Sequence, residues 1–184
     1  EREIEAQIKE IKLNKQEIRN ALYHGKGIDM INTVVKTKEF INATNLKPDK
    51  DRRMKASYLI TRFLAFYMLF NHQLTENGKA YEYKDIDELL EFTLKCLNKK
   101  SDKELKEYFE ISVMCLQMSY DLIGKGVFRK SLMQSNPINM NIFETTMFLM
   151  SGISLSDLKK TDINLRKRVL RVIESEEFLS CIGD

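Results

Sequence analysis

The sequence predicts an all-α protein: a single irregular bundle of about seven or eight helices around a central apolar helix. Three observations carry this expectation. Helix-start signals recur along the chain, apolar residues repeat at three- and four-residue spacing, and no alternating run of strand length is convincing.

The starts are Asn14 with Glu17, Asp85 with Glu88, Ser101 with Glu104 and Ser154 with Asp157. In each, a side chain able to accept from the first free N–H groups of a helix stands three residues before an acid that can reach back. The stops follow in kind. Gly25 is expected to close the first helix, Lys99 and Lys100 the second, and Gly124 the third.

Between these signals the apolar pattern is helical. Ile86, Leu89, Leu90, Thr93 and Leu97 form one face, and Leu105, Phe109, Ser112, Leu116, Ser119 and Ile123 form another, joined by a turn at Asn98–Ser101. Ile142, Phe143, Thr146, Met147 and Met150 make a further face, and Leu165, Val169, Val172 and Ile173 one more. Asp29–Ile41 reads as one helical segment and Lys55–Asn71 as the central helix. Within the latter, Tyr58 to Phe70 is interrupted only by Thr61 and Arg62, and it falls short of the ~20 residues that cross a bilayer. The one candidate hairpin is Gln73–Tyr81, where Asn77-Gly78 suits a tight turn, and the reading weighs against it. Pro48 and Pro137 fall in polar stretches between helices, where a missing N–H costs nothing.

Composition bounds the function classes. The 30 Lys+Arg against 27 Asp+Glu leave a net charge of +3, too balanced to indicate nucleic-acid binding by charge alone. Cys96, Cys115 and Cys181 are odd in number and widely spaced, which suits a reducing compartment and no disulfide framework. The chain opens on Glu1 without a basic-then-apolar leader. It is therefore expected to be a single helical domain over residues 1–184, a fragment of a larger multidomain, cytoplasmic protein without membrane association.

No complete active site is legible. Gly25-Lys26, Gly78-Lys79 and Gly124-Lys125 lack the earlier glycine of a phosphate loop, since Asn20, Gln73 and Ser119 stand there. His24 and His72 have no metal-ligand spacing, and Cys96 and Cys115 lie on apolar faces as small hydrophobes. Asp85 and Asp87 suit a helix first turn. Arg62 interrupts an apolar helix and needs a partner, for which Glu144 is the structural candidate over a ligand. Two basic clusters remain. Lys47, Lys50, Arg52, Arg53 and Lys55 precede the central helix, and Lys159, Lys160, Arg166, Lys167, Arg168 and Arg171 lie near the C-terminus. Of these, Lys167, Arg168 and Arg171 form a solvated stripe opposite Leu165, Val169 and Val172, and are candidates for nucleic-acid contact.

Four stretches resemble one family in order. Leu13-Asn14-Lys15-Gln16-Glu17-Ile18-Arg19-Asn20-Ala21-Leu22-Tyr23-His24-Gly25 comes first, then Arg53-Met54-Lys55 leading into Ile60–Tyr67. Gly126-Val127-Phe128-Arg129 and Asn139 through Glu144 follow. Together they are similar to the GmrSD restriction endonuclease N-terminal domain family, over its helical portion only. The resemblance implies a modification-dependent restriction protein acting in phage defence. It also implies a preceding ParB/sulfiredoxin-like segment with an Asp-Gly-Gln-Gln-Arg motif for nucleotide hydrolysis, and a following HNH-type nuclease domain. Neither motif occurs here. Cofactors are thus expected to be absent from this chain, with a nucleoside triphosphate and a divalent metal serving the parent protein, and DNA as a further partner. Glu17, Arg19, Arg53, Arg62 and Arg129, the charged members of the matched stretches, become candidates for a domain junction or for phosphate contact. Two other classes stay open: a stand-alone helical protein-interaction module and a small helical DNA-binding domain.

Overall fold

The computed structural model describes residues 14–51, 53–130, 135–154 and 164–181. Among the described residues there are nine α-helices and one two-stranded hairpin. The helices are α1 (Lys15–Leu22), α2 (Lys26–Val35), α3 (Lys38–Thr44), α4 (Lys55–Phe70), α5 (Ile86–Lys99), α6 (Asp102–Ile123), α7 (Met140–Ser151), α8 (Asn164–Ile173) and α9 (Glu176–Cys181). No described helix is long and apolar enough to cross a membrane.

Helix starts fall where the caps lie. Asn14 accepts from the Gln16 and Glu17 N–H groups while Glu17 turns back on the Asn14 N–H, and Ser101 and Glu104 make the same reciprocal pair. Asp85 caps Glu88 N–H at 2.8 Å, but the Glu88 carboxylate turns to Lys84 instead of closing a box. The start at Ser154 with Asp157 reaches outside the described residues.

Three details differ from the sequence reading. The Asp29–Ile41 segment is divided, because Thr37 ends α2 by donating its hydroxyl to Val34 O at 2.7 Å and starts α3 by accepting from Phe40 N–H. Gly25 is the N-cap of α2 and not the close of α1, which ends on Tyr23. The hairpin does form, with β1 (Thr75–Glu76) paired antiparallel to β2 (Lys79–Ala80). Asn77 and Gly78 have φ of 52° and 77°, the doubly positive turn that matches strand twist, and the buried Leu74 and Tyr81 anchor its two ends.

The core gathers around α4. Leu59, Ile60, Phe63, Leu64 and Met68 are fully buried there, and α2, α5, α6 and α7 pack around them. Ser112 and Ser119 sit on the buried face of α6 because their hydroxyls donate to the carbonyls of Tyr108 and Cys115 one turn back, both at 2.7 Å.

One close approach locks the start of α2 to the end of α5. Asn98 accepts from the Gly27 N–H at 2.9 Å and donates to Tyr23 O at 2.9 Å. A Cβ on Gly27 would lie 2.7 Å from Leu97 Cβ. Alanine normally gains about 1 kcal/mol over glycine inside a helix. We expect Gly27→Ala instead to lose about 2 kcal/mol through overpacking, read as a lower Tm.

Candidate functional site

The N-terminal ends of four helices meet at one cleft of about 350 Å³. Asn14, Lys15, Gln16 and Arg19 come from the cap and first turns of α1, and Arg53, Lys55 and Tyr58 from the approach to α4 and its first turn. Asp87 of α5 and Met140 of α7 complete the lining. Each helix start carries partial positive charge. Four cationic side chains face a single carboxylate, so the cleft is electropositive.

Arg19 is only 4% exposed and is held by Asp87, which also takes Lys15. The hydrogen bond from Lys15 holds the Asp87 carboxyl below its ordinary value, against a smaller upward push from burial and with added attraction from Arg19. Gln16, equally buried, donates to Asn20 Oδ1 at 2.7 Å. Its Oε1 and the Arg19 Nε have no hydrogen-bond partner among the described residues. Buried polar atoms are ordinarily satisfied. The other such atoms among the described residues, Tyr81 Oη, Thr93 Oγ1 and Arg129 Nη1, lie outside the cleft, and only here do two fall on residues that line one opening. Tyr58 accepts from Arg62 Nη1 at 2.8 Å, which leaves its own O–H to donate.

The candidate residues divide. Arg62 bonds Glu144 and Tyr58 within the α4–α7 seam. Arg129 is buried and donates to Asn136 O at 2.7 Å and Thr44 O at 2.6 Å, tying the segment after α6 to the end of α3. Both are tied into the fold by internal bonds and do not line the cleft, although Arg129 Nη1 is buried without a hydrogen-bond partner among the described residues. Arg19 and Arg53 do line it, and Glu17 lies at its edge, 4.0 Å from Arg53 Nη1.

Apolar surface flanks this end of the fold. Ile18 and Leu22, one turn apart on α1, are 42% and 70% exposed, and Met54 at the start of α4 is 37% exposed. Lys167, Arg168 and Arg171 are exposed on α8, as expected for a solvated stripe. Val172 departs from its assigned apolar face, being 54% exposed, while Leu170 packs on the core. Helix α8 packs on α6, and α6 does not line the cleft, so the stripe and the cleft cations sit on different elements.

Other chemistry finds little support. His24 and His72 are exposed, and no group of three metal-ligating side chains occurs among the described residues. Burial pushes the Cys115 thiol up to about 12 and raises Cys96 as well, the opposite of what a nucleophile requires.

Gln16, Lys55, Tyr58 and Asp87 were not legible as site residues. The available signal was local: Lys15, Gln16 and Arg19 share one face of α1 by spacing, but only the packed fold brings Asp87 and Tyr58 opposite them.

Acid should weaken this end of the fold and the α6 start. The backbone and side chain of Ser101, then Lys100, hold Glu104 down to about 2, and Asp87 is lowered as described. Depressed carboxyls add stability that is complete above their unfolded values and lost as pH falls through the folded ones. Denaturant midpoints should therefore hold above pH 5 and decline from about pH 4 toward 2, the decline shrinking in Glu104→Gln.

No protein-family model, curated protein or solved structure matches this chain.

Proposed function

We propose that this chain is the helical portion of a GmrSD-like, modification-dependent restriction protein. On this reading it supports a nucleotide-hydrolysing, DNA-sensing domain outside the chain, in a cytoplasmic phage-defence protein. The single observation that carries the reading is that Gln16, Arg19, Arg53 and Lys55, from two separate matched stretches, line the same cleft. A junction residue must be able to reach a neighbour, and of the candidates Arg19 and Arg53 line an open cleft.

The test is to translate the reading frame before Glu1 and express the joined protein. The expected result is an Asp-Gly-Gln-Gln-Arg segment upstream and metal-dependent nucleoside triphosphate hydrolysis that Arg53→Glu reduces at least ~10-fold. A start codon directly before Glu1, or a joined protein without hydrolysis, defeats the reading.

The exposure of Ile18, Leu22 and Met54 favours a second reading, a stand-alone helical module that docks a protein partner through this apolar surface. Under it, Leu22→Asp abolishes complex formation and nucleotide has no effect.

A further inference from the structure

We infer that the cleft binds a phosphate group through this chain's own side chains, whatever the identity of the parent protein. The first ground is a lysine that no described carboxylate answers. Helices α1 to α4 each begin on a lysine, a placement opposed by the positive end of the helix dipole. Lys15 is answered by Asp87, Lys26 by Asp102 and Lys38 by Glu39. Lys55 has no carboxylate partner among the described residues, and it lines the cleft.

The second ground is a donor held in place one turn further along. Glu144 fixes Arg62, and Arg62 fixes the Tyr58 oxygen by donating to it. The phenol hydrogen is left over, on a residue that lines the same cleft as Lys55.

The third ground is independent of both. Gln16 and Arg19 are each only 4% exposed, and both line the cleft, yet Gln16 Oε1 and Arg19 Nε have no partner among the described residues. The Arg19 guanidinium bonds Asp87 through Nη2 alone, so a second acceptor beside Asp87 would complete it. Both atoms have almost no accessible surface, so a phosphate oxygen reaches the guanidinium, and a ligand hydroxyl or bridging water reaches Gln16, only with a small rotation of these side chains toward the cleft. Donors thus come from α1 and α4, with the Arg53 guanidinium at the mouth. This spread suits a tetrahedral dianion better than a planar carboxylate, which one guanidinium satisfies edge-on.

The experiment is calorimetric titration of the 184-residue chain with inorganic phosphate, balanced with chloride to constant ionic strength so that general screening cancels. Saturable binding is expected. Lys55→Gln should weaken it ~10-fold and Tyr58→Phe ~5-fold, with far-UV circular dichroism unchanged. If Tyr58→Phe disturbs the fold, Lys55→Gln decides alone, since its side chain is replaced without creating a cavity. Parallel titrations with ATP and with a short DNA duplex identify the source of the phosphate. Tighter ATP binding that displaces phosphate points to a nucleotide, and duplex binding lost in Lys55→Gln points to nucleic acid. No saturable phosphate response, or a response that Lys55→Gln leaves intact, overturns the inference. So does binding of an acidic peptide where phosphate fails.

Discussion

Replacing Glu144 with alanine lowers the stability of the fold by about 3 kcal/mol, the largest loss expected from any single charged residue. Arg62 and Glu144 are only 15% and 13% exposed, so neither can return to water when the other is removed. Burial alone would lower the Arg62 value, and the Glu144 hydrogen bond and charge, with a smaller part from Tyr58, together offset it and leave it raised. The Tyr58 oxygen already accepts from Arg62 Nη1, and the rings of Tyr58 and Phe66, 5.4 Å and 6.0 Å from the guanidinium carbon, carry no full charge to replace the carboxylate. The double variant Arg62→Met/Glu144→Leu should recover most of the loss, because well-packed apolar pairs replace buried ion pairs at little cost. Urea denaturation of the three variants checks both statements. A Glu144→Ala midpoint equal to wild type would show that water reaches Arg62 freely.

The second large effect is expected from Asp87→Ala, which acts on stability and on the cleft at once. Arg19 is buried and loses its only carboxylate among the described residues, but the Asp87 side chain is 40% exposed, so water takes up part of the lost attraction. The cost is therefore about 2 kcal/mol, below that at Glu144. The same substitution removes the only acid lining an electropositive cleft and releases Lys15 and Arg19 together. Phosphate should then restore more thermal stability to Asp87→Ala than to wild type. Thermal melts with and without phosphate at constant ionic strength measure both parts. A variant that is destabilised but indifferent to phosphate would leave Asp87 a purely structural clamp.

The helices were legible because their causes are local. A cap at Asn14, Asp85 or Ser101 acts on N–H groups two or three residues away, and an apolar face is defined by spacing within one helix. Even the Arg62–Glu144 pair could be named in advance, since an arginine in an otherwise apolar helix must find a carboxylate. Where local signals compete, the reading was less complete. Thr37 both ends and begins a helix, which the apolar pattern of Asp29–Ile41 conceals. The hairpin at Asn77-Gly78 is too short for any period and depends on Leu74 and Tyr81 finding a core to enter.

The candidate site was legible only in part. Glu17, Arg19, Arg53, Arg62 and Arg129 are equivalent as charged members of matched stretches, yet two of the arginines line the cleft and two make internal bonds. Nothing within a few residues of each distinguishes them. What separates Arg19 from Arg129 is which helix start or chain carbonyl lies opposite, and those groups are 68 and 85 residues away in sequence.

The sequence by itself therefore determined the all-α class, the central apolar helix, the positions of the principal caps and one buried ion pair, all of which follow from interactions within a turn or from a single unmet need. Only the tertiary structure decided that four helix starts share one cleft and that, among the described residues, Lys55 there has no carboxylate partner and Gln16 and Arg19 carry unpartnered atoms. Electrostatic environment is a sum over everything nearby in space, and chain order says little about which distant groups packing will bring into that sum.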